Sequence, residues 1–395
     1  MPRPVLIASA LLALAPALAP APAAAQRADS AALVTVLGRD TLAIERWVRA
    51  GDRVTADVAV RSPRTTLRRY VLELGADGAM RSFEERTFDP AAPERGPIRT
   101  ERVEAAGAGW ARTVATADST RTATVDGPAA ALPFVDLVHW PYELVTTRAV
   151  RAGARAGEAT QPLLAGGRVL PFRVRWPGPT SVELTHPLRG TMTAETDAAG
   201  RLLRLDAAQT TRKVVVTRAP WMEIDARARA WAAADAAGRG IGDLSGRGRE
   251  EETVAGAKIT VDYGTPMKRG RTIFGAVVPY GQVWRTGANR ATHFSTDRAL
   301  LLGDAATGTL AVPAGEYTLF SIPAADGGVL IVNRQTGQNG TAYDAAQDLG
   351  RVPFRRAALA EPVERFTIDV EESGAGGILH IRWDDTQLSV PFTVQ

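Results

Sequence analysis

The feature that most constrains the fold is an alternation of apolar and polar residues with a period of two, interrupted at short intervals by turn residues. Residues 54–60 (VTADVAV) show it clearly, as expected for a strand with one buried face. Residues 76–78 (ADG) are of the types that favour hairpin connections. The pattern runs from about residue 31 to residue 218. It predicts a strongly curved antiparallel sheet.

Two segments depart from this pattern and predict helices that cap the sheet. Residues 129–150 have apolar residues at helical spacing, with a break expected at Pro141. Residues 219–237 have a more regular apolar face. From residue 256 onward, short alternating runs resume between Gly, Pro and Asp turns, which is typical of a β-sandwich. The predicted fold class is therefore all-β, with two domains.

Domain boundaries follow from composition. Five glycines between residues 238 and 253, mixed with charged residues, indicate a flexible linker. At the start of the chain, Arg3, an apolar run and the small residues at 23–25 are typical of a secretory signal peptide. We therefore expect a signal peptide at 1–25, a curved antiparallel β domain with helices at 26–237, a Gly-rich linker at 238–255 and a β-sandwich domain at 256–395.

Composition narrows the compartment and the partners. The chain has no Cys, which excludes an acylated lipoprotein, disulfides and thiolate metal sites. The formal net charge is only +4, and in an exported chain this argues against a nucleic-acid partner. The apolar runs are shorter than the roughly 20 residues that a membrane-spanning helix needs. We expect a periplasmic or secreted protein that does not span the membrane, and the sequence leaves its oligomeric state open.

Residues 263–296, here called the cationic block, contain five Lys and Arg residues and neither Asp nor Glu. The forked donors of Arg271 and Arg285 suit a carboxylate or a phosphate. The turn at residues 287–289 can add backbone N–H groups, because glycine allows the dihedrals of an anion-binding nest. The candidate ligand-binding residues are Arg271, Arg285, Asn289, Lys268, Arg269, Tyr280 and His293. His293 is the one histidine beside the block and would be the one to test as a base.

An alternative interpretation of the cationic block is structural. The aromatic residues Phe274, Tyr280 and Trp284 would then belong to the core. The cations would pair with carboxylates from elsewhere in the chain, such as Asp384 or Asp385. Both interpretations of the block stay open at this point.

The block also carries a resemblance to a known family. Five segments resemble, in order and spacing, the bacterial family called domain of unknown function 2911: residues 261–292, 312–323, 339–352, 361–368 and 383–392. The resemblance covers about the last 140 residues and implies an exported, β-rich domain without an assigned activity. The family pattern has a Trp near Gly340, where this chain has Asn339. The N-terminal half is similar to periplasmic carriers of the lipoprotein-localisation type, in which helices cap a curved sheet.

The sequence contains no motif for nucleophilic, phosphate-loop or metal-dependent catalysis. There is no GxSxG elbow and no Walker loop, and the four histidines lack metal-binding spacing. We therefore predict no catalytic residue, no metal ligand and no cofactor. The leading hypothesis is an exported, non-catalytic binding module that recognises, through the cationic block, an anionic group on a small molecule, glycan, lipid or peptide.

Two other hypotheses stay open. The first is a periplasmic carrier that holds an apolar or lipid-like ligand inside the N-terminal curved sheet. In that case Trp140, Trp221 and Trp231 would line the ligand cavity, although such residues also commonly fill the core between a sheet and its covering helix. The second is an envelope hydrolase that uses His293 or a carboxylate.

Overall fold

The computed structural model describes residues 30–395, so the predicted signal peptide at 1–25 lies outside the described residues. Within this range the chain is mostly β-strand, with two α-helices and two short 3-10 turns at Pro93–Arg95 and Ala345–Gln347. The all-β fold class is confirmed. In the same range, neither helix combines the length and the apolar character that crossing a bilayer requires.

The N-terminal part forms one sheet of fifteen strands. In chain order its elements are β1 (Ser30–Leu37), β2 (Asp40–Ala50), β3 (Arg53–Val60), β4 (Thr66–Leu74), β5 (Met80–Phe88), β6 (Pro97–Ala106), β7 (Gly109–Thr116), β8 (Thr120–Val125), β9 (Leu132–Pro133), α1 (Trp140–Arg151), β10 (Glu158–Ala165), β11 (Arg168–Arg175), β12 (Ser181–His186), β13 (Gly190–Thr196), β14 (Leu202–Asp206), β15 (Val215–Ala219) and α2 (Ile224–Ala236). The strand order is β8-β7-β6-β5-β4-β3-β2-β1-β15-β14-β13-β12-β11-β10-β9. Each neighbouring pair is antiparallel except β9 and β10, which are parallel.

The sheet is strongly curved, as the sequence predicts. In its centre β1 pairs with both β2 and β15, and Val36 lies opposite Val215. Its two ends approach each other, because a Cβ placed on Gly127, just after β8, would lie 2.4 Å from a methyl group of Val169 on β11. The inward-facing side chains of both halves therefore share one buried cluster.

Helix α1 packs against the concave face of this sheet. Its buried apolar side chains are Trp140, Tyr142, Leu144 and Val145. Glu45 on β2 accepts the backbone N–H groups of His139 at 3.0 Å and Trp140 at 2.9 Å, which satisfies free donors at the positive end of the helix. Pro141 lies in the first turn, where its missing N–H costs nothing. The predicted break at Pro141 is therefore wrong, and the proline lies at the start of the helix.

Helix α2 packs on the opposite, convex face. Its Ile224 and Ala228 join a second, smaller cluster with outward-facing residues of the sheet, among them Ile44 and Phe88. The predicted helix at 219–237 is therefore present, with bounds five residues later at its start and one residue earlier at its end. The two capping helices cover opposite faces.

The interior bears directly on the carrier hypothesis. α1 occupies the concave side, and the fully buried ring of Trp140 contacts Tyr70 at a centroid distance of 6.0 Å. A cavity of about 30 Å³ beside Tyr142 has the volume of about two water molecules. Trp221 is 50% exposed, and Trp231, which lies on α2, packs against the cluster on the convex face. The concave side thus holds a packed core where a carrier would hold its ligand.

The C-terminal part is built from two sheets. In chain order its strands are β16 (Ser245–Val254), β17 (Ala257–Pro266), β18 (Thr292–Thr296), β19 (Leu300–Asp304), β20 (Gly308–Val312), β21 (Gly315–Ala324), β22 (Gly327–Asn333), β23 (Asp348–Pro353), β24 (Arg355–Ser373) and β25 (Gly376–Val394). One sheet has the order β16-β17-β18-β21-β22-β23, and the other has the order β20-β19-β25-β24. Ile259 and Phe294 of the first sheet share a buried cluster with Leu302 and Ile381 of the second, so the predicted sandwich is present.

The prediction of a flexible linker at 238–255 is wrong for its second half. Residues 245–254 form β16, and each of them pairs with β17. Gly246 and Gly248 alternate with charged residues because one face of β16 is covered: a Cβ on Gly248 would lie 2.6 Å from the ring of Tyr263. Alternating glycines here mark a strand against a bulky neighbour. The division into two domains stays a prediction.

Glu143 on α1 gives the fold a testable pH dependence. Its carboxylate is fully buried and accepts hydrogen bonds from Arg218 at 2.8 Å and from the backbone of Leu202 at 3.1 Å. Burial nevertheless raises the pKa of Glu143 to about 7, and the Arg218 guanidinium only partly opposes this. A raised pKa means that the folded state binds the proton more tightly than the unfolded state. The stabilisation that protonated Glu143 contributes is fully present below about pH 4.5 and is lost as the pH rises through about 7.

We predict that Glu143→Gln removes this pH dependence. Between pH 4.5 and pH 8, the free energy of unfolding of the variant should gain about 3 kcal/mol relative to the unsubstituted protein, because the amide stays neutral. Urea unfolding followed by tryptophan fluorescence at several pH values measures this difference. Glu104→Gln, at an exposed position on β6, is the matched control. Parallel pH profiles for Glu143→Gln and the unsubstituted protein would contradict the prediction.

Candidate anion-binding site

The cationic block begins in β17, ends in β18 and forms a long loop between them. Trp284 anchors this loop through its backbone: its N–H donates to the carbonyl of Ser321 at 2.7 Å, and its carbonyl accepts from the Ser321 N–H at 2.9 Å. The Trp284 ring stacks on Trp383 with centroids 6.1 Å apart. Such ring pairs contribute about 0.5–1.5 kcal/mol beyond the burial of their area. The backbone of the neighbouring Arg285 is therefore held in place.

The other aromatic residues of the block divide between core and surface. Phe274 meets Trp284 edge-on at 6.1 Å, and both pack against the C-terminal core. Tyr280 is 39% exposed, and its ring covers Gly275, where a Cβ would lie only 2.9 Å from a ring carbon. Phe274 and Trp284 thus lie against the core as the structural interpretation of the block predicts, whereas Tyr280 lies at the surface.

Two of the predicted ligand-binding cations are paired within the chain. Lys268 forms an ion pair with Asp384, one of the carboxylates that the structural interpretation names. Arg269 is only 4% exposed, and it donates to Asp40 at 2.5 Å and to the carbonyls of Ile241 and Asp243 at 3.0 Å each. The structure gives Lys268 and Arg269 a structural role in place of the predicted ligand contact. The physical reason is that a buried charge needs a matching charge or full hydrogen bonding.

Arg269 also receives the hairpin that joins β1 and β2. The backbone N–H of Arg39 donates to the Arg269 carbonyl at 2.9 Å, and Glu364 accepts the Arg269 N–H at 2.7 Å. Gly38 has a φ of +59°, and a Cβ there would lie 2.1 Å from the Arg269 carbonyl oxygen and 2.9 Å from Cγ of Arg271. The N-terminal and C-terminal parts are therefore in close backbone contact beside the cationic block.

Arg271 is half-buried and faces backbone oxygens. Its Nε donates to the carbonyl of Lys268 at 2.9 Å, and a terminal nitrogen donates to that of Met267 at 2.6 Å. Within residues 30–395 no carboxylate forms an ion pair with this guanidinium. Burial and, secondly, the charge of Arg269 hold the pKa of Arg271 below its usual value. Its guanidinium thus has no direct ion-pair partner, although the charges of Glu364 and Asp40 partly oppose the lowering of its pKa.

Arg285 is the most unusual side chain of the block. It is half-buried, yet in the described part of the chain it has neither a hydrogen-bond partner nor an ion-pair partner. Its stem crosses Gly340, where a Cβ would lie 2.5 Å from Cδ of Arg285. Burial alone holds the pKa of Arg285 below its usual value. Placing a charge in a partly desolvated position without a partner is unfavourable, so this guanidinium is suited to an external anion.

Asn289 and His293 differ in their distance from Arg285. The carbonyl oxygen of Asn289 borders the same Gly340, and its side-chain amide donates to the carbonyl of Ser245 at 3.3 Å. His293 lies opposite Asp262 in the pairing of β17 with β18, and its Nδ1 contacts the hydroxyl of Thr318 at 3.3 Å. Burial, and then the charge of Arg290, lower the pKa of His293. His293 thus lies among the residues of β18, and the charged groups that act on it are Arg290, Asp262 and Glu316.

Sequence reasoning missed Lys213. This residue precedes β15 in the N-terminal part, and its ammonium donates to the carbonyl of Ala208 at 3.2 Å. Burial lowers the pKa of Lys213, and the charges of Arg271 and Arg285 lower it further, so Lys213 lies within electrostatic reach of both arginines. Lys213 lies 50 positions before the first residue of the block, so no local pattern links them.

The chemistry of this site is that of charge recognition. Guanidinium groups donate hydrogen bonds in a fixed fork and do not lose a proton at neutral pH. Within the described range, no group of three His, Cys, Asp or Glu side chains is arranged to hold a metal ion. Fold and site together define an all-β protein whose C-terminal sandwich bears unmatched arginines beside its contact with the N-terminal sheet.

Comparison with known proteins confirms the resemblance predicted for the C-terminal part. Residues 245–392 match the model of the family described as Protein of unknown function (DUF2911). The match begins at the first residue of β16. No curated protein matches the chain.

Two solved structures show limited similarity. One is a DUF1089 family protein from Pseudomonas aeruginosa, with 15% identity and a TM-score of 0.31, covering 42% of this chain and 91% of that one. The other is a beta-barrel-like protein of the domain of unknown function DUF1849 from Brucella abortus, with 11% identity and a TM-score of 0.31, covering 48% of this chain and 94% of that one.

The hairpin contact at Arg269 can be tested with a pair of glycine substitutions. Gly38 and Gly51 have similar positive φ values, but a Cβ on Gly51 would meet nothing within 4 Å. Both Gly→Ala changes carry the cost of a left-handed residue, about 1–2 kcal/mol. We predict that Gly38→Ala costs roughly 1–3 kcal/mol more than Gly51→Ala, because the new methyl group overlaps the Arg269 carbonyl. Urea unfolding measures both. Equal losses would contradict the docked hairpin.

Proposed function

We propose that the protein is an exported, non-catalytic binding module that recognises an anionic group through the arginines of the cationic block. The observation that carries the proposal is the half-buried guanidinium of Arg285, which lacks a partner among residues 30–395. Arg271 supports it, since its hydrogen bonds go to carbonyl oxygens and leave its charge unmatched. Folding leaves both groups partly removed from water, and an anion would compensate for this.

The proposal favours binding over hydrolysis because of what surrounds Arg285. Its stem passes Gly340, which the carbonyl oxygens of Asn289 and Arg290 also border, and its charge acts on the ammonium of Lys213. Such cations fix and neutralise an oxyanion, whereas hydrolysis needs a nucleophile with a base in hydrogen-bond reach. His293 is oriented by Thr318 and lies beside Asp262 and Arg290.

The compartment is part of the proposal. The signal-like sequence at 1–25 supports export to the periplasm or beyond. An exported module of this kind would meet anionic groups on envelope glycans, lipids and peptides. A carboxylate and a phosphate both fit the forked donors of an arginine.

Arg285→Ala tests the proposal. Thermal unfolding should be measured with acetate, citrate, sulfate and phosphate at matched ionic strength, for the unsubstituted protein and the variant. We expect at least one anion to stabilise the unsubstituted protein, since a ligand at 100 times its Kd adds about 2.7 kcal/mol. The variant should lose that stabilisation and keep its ligand-free melting temperature, because no internal contact of the guanidinium is removed. Arg121→Ala, at an exposed position on β8, is the control.

A contrasting variant separates binding from folding. Arg269→Ala should lower the free energy of unfolding by about 3–5 kcal/mol without any ligand, because it leaves Asp40 without its buried partner. Urea unfolding of the ligand-free protein measures this loss. The proposed function is contradicted if no anion stabilises the unsubstituted protein more than Arg285→Ala. It is also contradicted if Arg285→Ala unfolds as easily as Arg269→Ala, since Arg285 would then be a structural residue.

A further inference from the structure

Positive charge is in excess where the N-terminal and C-terminal parts meet. Three carboxylates at this junction are already engaged: Asp40 with Arg269, Glu364 with Arg39 at 3.5 Å and with the Arg269 backbone, and Asp384 with Lys268. Beside them, Lys213, Arg271 and Arg285 have no ion-pair partner among residues 30–395. A single negative charge on a ligand would leave most of this excess in place.

Backbone geometry explains how Lys213 reaches the cationic block. Val215, two residues after it, lies opposite Val36 on β1. β1 leads directly into the turn at Gly38, which contacts the side chain of Arg271. Lys213 itself has a φ of +53°, so the chain turns sharply there. The strand pairing and the docked hairpin thus bring a lysine of the first sheet to the arginines of the sandwich.

We propose that Lys213, Arg271 and Arg285 form one anion site between the two parts of the chain, and that its ligand is a doubly charged tetrahedral oxyanion, the phosphomonoester group. This inference rests on the proposed function and adds the ligand class and the contribution of the N-terminal part. Arg285 offers paired donors to two oxygens, Arg271 its remaining terminal nitrogen, and Lys213 a point charge. A phosphomonoester has a second pKa near 6 and carries close to two charges at neutral pH. A ligand bound at this site would link the N-terminal and C-terminal parts of the chain.

Methyl phosphate and dimethyl phosphate form a matched pair of probes. Both are tetrahedral and small, but at pH 7.5 the first is mostly a dianion and the second is a monoanion. Isothermal titration calorimetry on the full chain should give a Kd for methyl phosphate at least about tenfold lower than for dimethyl phosphate. Lys213→Met, which keeps most of the stem, should abolish this preference. Lys258→Met is the matched control, because Lys258 lies on the surface and pairs with Glu251 at 2.6 Å.

The outcomes separate this inference from the proposed function. Equal affinities for the two probes, or an unchanged preference in Lys213→Met, would overturn the dianion site. The proposed function would survive that result if Arg285→Ala still abolished binding of both probes. Absence of binding for either probe, together with stabilisation by acetate or citrate that needs Arg285, would also overturn the dianion site and leave a carboxylate site.

A second arm identifies the source of the phosphomonoester. Vesicles of phosphatidylcholine with and without phosphatidate present the same group on a membrane surface. Co-sedimentation with the phosphatidate vesicles that is lost in both Lys213→Met and Arg285→Ala would support the site and assign it to a lipid headgroup. Methyl phosphate binding without co-sedimentation would support the site and assign it to a soluble phosphomonoester. Co-sedimentation that both variants retain would count against the site as the lipid contact.

Discussion

The burial of Arg269 against Asp40 is the interaction on which the geometry of the site depends. Its guanidinium links the C-terminal sandwich to the first hairpin of the N-terminal sheet, and its backbone carbonyl receives the N–H of Arg39. A buried ion pair of this kind gains little over an apolar contact, but loss of one partner is costly, so it fixes one arrangement of the two parts. Arg271 is carried on the same turn, and Lys213 follows from the pairing of β1 with β15. The approach of Lys213 to Arg271 is therefore a consequence of this contact, whereas the Trp284 anchor positions Arg285.

Two arginines of the cationic block differ in whether the chain compensates their charge. Arg269 is almost fully buried, and the structure surrounds it with one carboxylate and two carbonyl oxygens. Arg285 is half-buried and has neither kind of partner in the part of the chain that is described. Stability explains the first, because the charge is compensated. It does not explain the second, since an alanine there would remove an uncompensated charge. The anion-binding role that we propose for Arg285 would explain it.

Much of the fold follows from local pattern, because strands and turns are encoded by residues close in sequence. The alternation at residues 54–60 indicates the N-terminal sheet, and the motifs of the last part indicate the C-terminal sandwich. The predictions of a helix break at Pro141 and of a linker at the glycines of β16 are wrong, because the effect of both residue types depends on tertiary context. A proline is tolerated in the first turn of a helix, and alternating glycines fit a strand that Tyr263 covers. The site was only partly predictable. Sequence shows that Arg285 is cationic, but its lack of a partner and the approach of Lys213 arise from tertiary packing.

The central claim is that the Arg285 guanidinium has no partner within residues 30–395 of the folded chain and binds an external oxyanion. A crystal structure of the full chain grown with methyl phosphate tests this most directly. The account predicts density for the phosphate group within hydrogen-bond distance of the Arg285 guanidinium, with Arg271 and Lys213 on its other sides and Arg269 still on Asp40. An Arg285 guanidinium hydrogen-bonded to an Asp or Glu of the same chain, with no anion beside it, would contradict the account.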